Sequence, residues 1–157
     1  MDIAAEIRDQ LGDDWIGAIY REIRSGRTRS LRLDIPEREN HAEIQYTLLG
    51  IELKVGKRRF AAPDLATARY MRVFARIGCR EFAIPYDITQ ISAVADRLET
   101  SWQHALLLLD DKTRARPDRS RSMTRSTLIK AIRVELIKIG AGEAMPLFDR
   151  ETRQRDR

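Results

Sequence analysis

Apolar residues recur at every third or fourth position over the first stretch of the chain. Ile3, Ile7 and Leu11 follow Asp2, a residue type that caps helices, and Gly12 interrupts the run. Asp13 or Asp14 can cap a second run in which Trp15, Ile16, Ile19, Tyr20 and Ile23 share one face, closed by Ser25-Gly26. The period then drops to two. In Leu31-Arg32-Leu33-Asp34-Ile35 aliphatic and charged residues alternate up to Pro36, which predicts a half-buried strand. Residues 42–55 favour strand throughout, but Ile44, Tyr46 and Leu48 have the opposite parity to Ile51, Leu53 and Val55. That switch predicts a turn or bulge near Leu49-Gly50. Gly56-Lys57 marks another turn before Arg59–Ala62, so this region reads as an antiparallel meander of three or four strands.

Pro63-Asp64 then opens a helix whose buried stripe is Tyr70, Val73, Phe74 and Ile77, with Gly78 as its stop. Glu81–Tyr86 reads as a strand, with Pro85 confined to an edge or an end. Asp87 or Thr89 caps a long helix to about Leu109, with Ile91, Val94, Leu98, Trp102 and Leu106 inward. Residues 112–125 are basic and almost without apolar side chains, which predicts a mobile linker, since burial cannot offset the entropy of ordering it. A last helix is expected over Ser126–Ile139, on the face Leu128, Ile129, Ile132, Leu136 and Ile139. The expectation is an α+β fold: a small mixed sheet with an antiparallel meander, flanked by helices. The organisation expected is a core over 1–111, a basic flexible linker over 112–125, and a C-terminal helix and tail over 126–157.

Charge divides the chain at the same place. Residues 112–157 carry 13 basic and 6 acidic side chains, a net of +7, whereas residues 1–111 carry 16 and 18, a net of −2. A basic segment of this kind supplies salt-dependent affinity for nucleic acid. Composition removes other classes. One cysteine, Cys79, rules out a disulfide framework or a multi-cysteine zinc site, and two histidines, His41 and His104, leave zinc chemistry nearly without ligands. His41 lies in a turn without a Ser or Asp partner at a recognised catalytic spacing, and His104 reads as a packed or surface residue of the long helix. The longest apolar run, Ala105–Leu109, cannot span a bilayer, and the first residues are acidic where a signal peptide is basic. A cytoplasmic protein in a reducing compartment, with no membrane partner, is expected.

Ile51-Glu52-Leu53-Lys54-Val55 places a carboxylate and an amine on one face of a strand, and Asp34 lies on a non-aliphatic face upstream. If the meander joins them, Asp34 and Glu52 could hold one Mg²⁺ (or Mn²⁺), with Glu43 as the alternative to Asp34. Hard oxygen ligands leave water positions open on such an ion, which can activate water against a phosphodiester while the lysine orients it. The order of helix, strands, Glu-x-Lys strand, helix, glycine and strand resembles the PD-(D/E)XK nuclease superfamily, in its restriction-endonuclease and Holliday-junction-resolvase branches. The resemblance covers about residues 22–86. It implies Asp34 and Glu52 as metal ligands, Lys54 as assistant to the attacking water, Glu22 as an extra acid, and a symmetric dimer as the working form. A sheet face whose Arg32, Asp34, Glu52 and Lys54 simply meet water explains the same pattern.

Candidate phosphate contacts are Arg69, Arg72 and Arg76 at spacing i, i+3, i+7, the turn residues Lys57, Arg58 and Arg59, and Arg114, Arg116, Arg119 and Arg121 of the basic stretch. A solvated helix face is the competing account of the first set. The strand-strand-strand-helix order from His41 to Ile77 also resembles the double-stranded-RNA-binding domain, but Asp64–Ala68 lacks the paired lysines of that family. Ala144–Phe148 is similar to peptides that dock sliding clamps, with Leu147 and Phe148 as anchors. Two functions therefore stand. One is a metal-dependent nucleic-acid phosphodiesterase with a basic arm, acting on DNA in preference to RNA. The other is a non-enzymatic nucleic-acid-binding or assembly protein.

Overall fold

The computed structural model describes residues 2–142 and has an α+β architecture. Helix α1 (Ile3–Leu11) starts at Asp2, whose carboxylate accepts the Ala4 N–H at 3.0 Å. A short 3₁₀ turn at Gly12–Asp14 leads into α2 (Ile16–Ser25). Strand β1 (Thr28–Arg32) follows, then the meander β2 (Ala42–Thr47), β3 (Gly50–Val55) and β4 (Arg58–Ala62). Helix α3 (Leu65–Ile77) is capped by Asp64 through the Thr67 N–H at 2.7 Å and ends at Gly78, in the left-handed region at φ +85°. Strand β5 (Glu81–Pro85), α4 (Ile91–Thr113) and α5 (Asp118–Ile139) complete the described chain.

The strands form two antiparallel sheets and not one mixed sheet. In the first, β1 pairs with β5, setting Ser30 against Ala83 and Leu31 against Phe82. In the second, β2, β3 and β4 pair in order, with turns at Leu48-Leu49 and Gly56-Lys57 as the parity switch and the glycine imply. Helix α3 packs under the meander and joins it to the helical core, where Phe74 and Phe82 stack at 4.2 Å between Tyr20 and Tyr70. The Tyr20 hydroxyl accepts the Ala83 N–H at 2.8 Å and donates to the Gly140 carbonyl at 2.9 Å, so β5 and the end of α5 close on one buried phenol. Burial holds that phenol up at about 12.

Three expectations are corrected. The strand expected at Leu31–Ile35 is β1 at residues 28–32. Leu33 and Ile35 keep their burial, but the regular ladder ends where Arg32 meets Glu81 and is prolonged only by the Leu33 N–H donating to the Arg80 carbonyl at 2.7 Å. The stretch 112–125 is not a linker but the end of α4, a turn, and the first turns of α5. It is ordered by contacts its composition hides: Thr113 is buried and donates to the Leu109 carbonyl, and Arg125 forks onto Glu39. Helix α5 is likewise no appendage, since Leu128, Ile129, Ile132 and Leu136 lie in the same core and Glu135 accepts the Trp15 indole N–H at 3.2 Å. The clamp-like peptide at Leu147 and Phe148 lies outside the described residues.

Candidate nucleic-acid interface

Strand β3 divides its side chains as its alternation demands. Leu53 and Val55 are buried toward α3, and Glu52 and Lys54 lie on the opposite face of the meander. Their cross-strand neighbours follow from register: Glu52 stands between Gln45 and Ala61, and Lys54 between Glu43 and Arg59. Glu52 Oε2 is shielded from solvent without a hydrogen-bond partner, and its nearest cation is Arg59 Nη1 at 3.8 Å. Asp34 follows a different course. It lies beyond the end of β1, and its carboxylate pairs with Arg58, whose place in β4 has the parity of Val55 and not of Glu52. Glu43 faces His41 at 2.7 Å, and that ring holds its carboxyl below the usual carboxylate range. Glu22 pairs with Arg97 at 3.0 Å.

What this face offers a divalent cation is narrower than the Glu-x-Lys pattern implies. Among the described residues no three of His, Cys, Asp and Glu come together as a metal group. Glu52 has Glu43 on the adjacent strand, one step along the diagonal, and no third ligand among the described residues. Asp34 is not brought into that set, because its carboxylate meets the meander at Arg58, whose parity is that of Val55.

The arginine stripe of α3 turns toward α4. Arg69 meets both Asp96 and Glu99, its Nε donating to Glu99 Oε1 at 3.1 Å, and Arg72 Nη2 donates to Glu99 Oε2 at 2.7 Å. These half-buried pairs cross-link two helices, and the carboxylates raise the pKa of Arg69 further. Complementary spacing was the available signal: acids at i, i+3 on one helix answer bases at i, i+3 on the other. Arg76 meets no carboxylate among the described residues and touches the Ala42 carbonyl at 3.5 Å.

The basic residues that remain open gather elsewhere. Strands β1 and β4 are each the edge of a sheet, and a cleft of about 460 Å³ separates them. Arg29 and Arg32 line it from β1 and Arg59 from β4, over a floor that includes Phe60 and Met71. Neither Arg29 nor Arg32 makes an ion pair among the described residues, and Lys57 stands exposed at the turn before β4. Arg58 is taken by Asp34. The alternation assigns Arg32 only a water-facing place and gives no role to Arg29, although Arg24, Arg27, Arg29 and Arg32 fall within nine residues that contain no acid. A second basic group sits on the α4–α5 turn. Arg114 pairs with Asp111 at 3.0 Å and Arg121 reaches Asp118 at 4.0 Å. Arg116 donates to Thr124, while Arg119, exposed, meets no carboxylate among the described residues.

Compared with family models, with curated proteins and with solved structures, the chain gives no significant match.

Proposed function

We propose that this chain is a nucleic-acid-binding protein that seats the phosphate backbone of a strand in the cleft between β1 and β4. The observation that carries the reading is the uncommitted state of Arg29 and Arg32 beside Arg59. An arginine fork left without a carboxylate is matched to phosphate oxygens in geometry as well as charge. Two open strand edges add backbone N–H donors, which serve phosphates equally well. Phe60 in the floor supplies an aromatic surface of the kind on which an unpaired base stacks. The α4–α5 turn, with Arg116 and Arg119, extends the positive field as a fixed projection and not as a flexible arm.

Fluorescence anisotropy with labelled single- and double-stranded DNA and RNA tests this. Replacing Arg29 and Arg32 by Ala should weaken binding at least tenfold, at about 1 kcal/mol or more per charged contact. Binding unchanged in that double variant would refute the cleft as the interface.

A second reading rests on one specific observation, the unpartnered Glu52 oxygen beside Lys54. In it the chain is a metal-dependent phosphodiesterase of restriction-endonuclease-like fold, with Glu52 and Glu43 holding Mg²⁺, which would polarise the phosphodiester when bound. Lys54, between Glu43 and Arg59, would steady negative charge at that face. Incubating branched and linear DNA with Mg²⁺ or Mn²⁺ decides between the two. Cleavage abolished in Glu52→Ala and Lys54→Ala supports the enzyme; no cleavage by the unaltered chain leaves a binding protein.

A further inference from the structure

Where α3 ends beneath the first residues of β2, a pocket of about 420 Å³ is bounded by Glu39, Asn40, His41, Arg76, Trp102 and Arg125. Its polar groups are unequally committed. Arg125 forks onto both oxygens of Glu39, Nε to Oε1 at 2.9 Å and Nη2 to Oε2 at 2.6 Å. Asn40 Nδ2 donates to the carbonyls of Pro36, Arg38 and Ala75, and His41 faces Glu43. Arg76 is the exception. It is half-buried, has no carboxylate among the described residues, and makes a single long hydrogen bond, at 3.5 Å, to the Ala42 carbonyl.

Arg76 Nε and Nη1 have no hydrogen-bond partner among the described residues and are not sealed from solvent, so the fork is free to take an incoming acceptor. Burial and the neighbouring Arg72 both press its pKa down, against a weaker pull from Glu99. Glu39 does not relieve it, because both Glu39 oxygens are engaged by Arg125. The one carboxylate at the pocket, Glu39, is committed to Arg125, so Arg76 is left without an acceptor of its own while the space for one is present.

We propose that this pocket binds the oxyanion of a phosphate or phosphomonoester, with Arg76 as the anchoring fork. Arg125 and Glu39 close the rim as a neutral pair, and Trp102 forms a wall. Inorganic phosphate, a mononucleotide and the phosphorylated end of a strand present the same chemistry. None of the pocket residues belongs to the β1–β4 cleft, so the site stands whether or not the cleft binds nucleic acid.

The chain has two tryptophans, and only Trp102 borders the pocket, while the Trp15 indole is held by Glu135. The indole N–H resonances of the intact protein therefore report the site with an internal control. Inorganic phosphate, a nucleoside monophosphate and an oligonucleotide with and without a 5′-phosphate are titrated in turn. Saturable movement of the Trp102 resonance, with that of Trp15 unmoved, is the expected result for the phosphate-bearing probes, and their order of affinity identifies the source. Arg76→Gln should weaken binding roughly tenfold or more, as loss of a charge-assisted hydrogen bond requires, and Arg76→Lys should fall between. An unmoved Trp15 resonance in both variants shows that they are folded. The proposal is overturned if chloride at equal ionic strength moves Trp102 as far, or if Arg76→Gln binds phosphate as well as the unaltered chain.

Discussion

Arg69 and Arg72 on α3 close onto Asp96 and Glu99 of α4, whereas Arg29 and Arg32 on β1 make no ion pair among the described residues, although Arg32 stands across the ladder from Glu81. The side chains are chemically identical. Those on α3 have surrendered water and gained partners, so their charge is spent inside the molecule as a cross-link between helices. Those on β1 line an open cleft and keep both charge and hydrogen-bonding capacity. A row of arginines therefore says little about binding until its counter-charges are located, and here location separates architecture from affinity.

That contrast can be broken most severely from beneath. Phe74 lies on α3 between both regions, fully buried and stacked on Phe82. Phe74→Ala should cost about 4 kcal/mol in denaturant unfolding, since it removes a large buried ring and leaves a cavity. A loss below about 1 kcal/mol would mean that α3 is not the common support of the two regions.

The next effect appears in alkali and should belong to the buried half alone. Burial raises the Cys79 thiol from its ordinary value near 9 to about 11. The folded chain then keeps a proton that the unfolded chain loses, so stability is complete below about pH 9 and falls as pH rises through 11. The loss should reach about 3 kcal/mol and should be largely absent from Cys79→Ala, as urea melts across that window will show. Tyr20, held near 12, extends the decline beyond it.

Removing the counter-charge on α4 separates the two arginine sets directly. Glu99→Ala leaves Arg69 and Arg72 partly buried and short of a partner, which should cost about 2 kcal/mol. Nucleic-acid affinity should not fall. A variant that melts normally but binds poorly would place the α3 stripe at the interface. The smallest effect is expected at Glu52→Gln. Its buried oxygen accepts no hydrogen bond, so stability should move by less than about 0.5 kcal/mol or rise.

Legibility in the sequence followed the range of the interactions involved. Helix α3 was readable from Tyr70, Val73, Phe74 and Ile77, and the meander from the parity of Leu53 and Val55, because local periodicity records which side faces the core. The pairing of β1 with β5, instead of with the meander, was not readable. That choice joins residues about fifty positions apart and leaves Asp34 beyond the ladder, away from Glu52. The order of α5 was hidden for a similar reason: Arg125 looks unattached until Glu39 is brought across from the loop before β2. Composition counted the basic charges correctly but not their neutralisation. Of the cleft arginines, Arg59 was legible from the turn it follows, whereas Arg29 and Arg32 were not, because an edge strand announces itself only once its missing neighbour is known.

The central claim concerns those cleft arginines, and the salt dependence of binding tests it most directly. Affinity for a DNA or RNA strand should be measured across ionic strength for the unaltered chain and for Arg29→Ala/Arg32→Ala/Arg59→Ala. For every phosphate deprived of its arginine, the slope of log affinity against log salt should flatten by about one, so a fall of about three is expected, with the fold retained. An unchanged slope in the triple variant, with the flattening appearing instead in Arg116→Ala/Arg119→Ala, would contradict the cleft and move the interface to the α4–α5 turn.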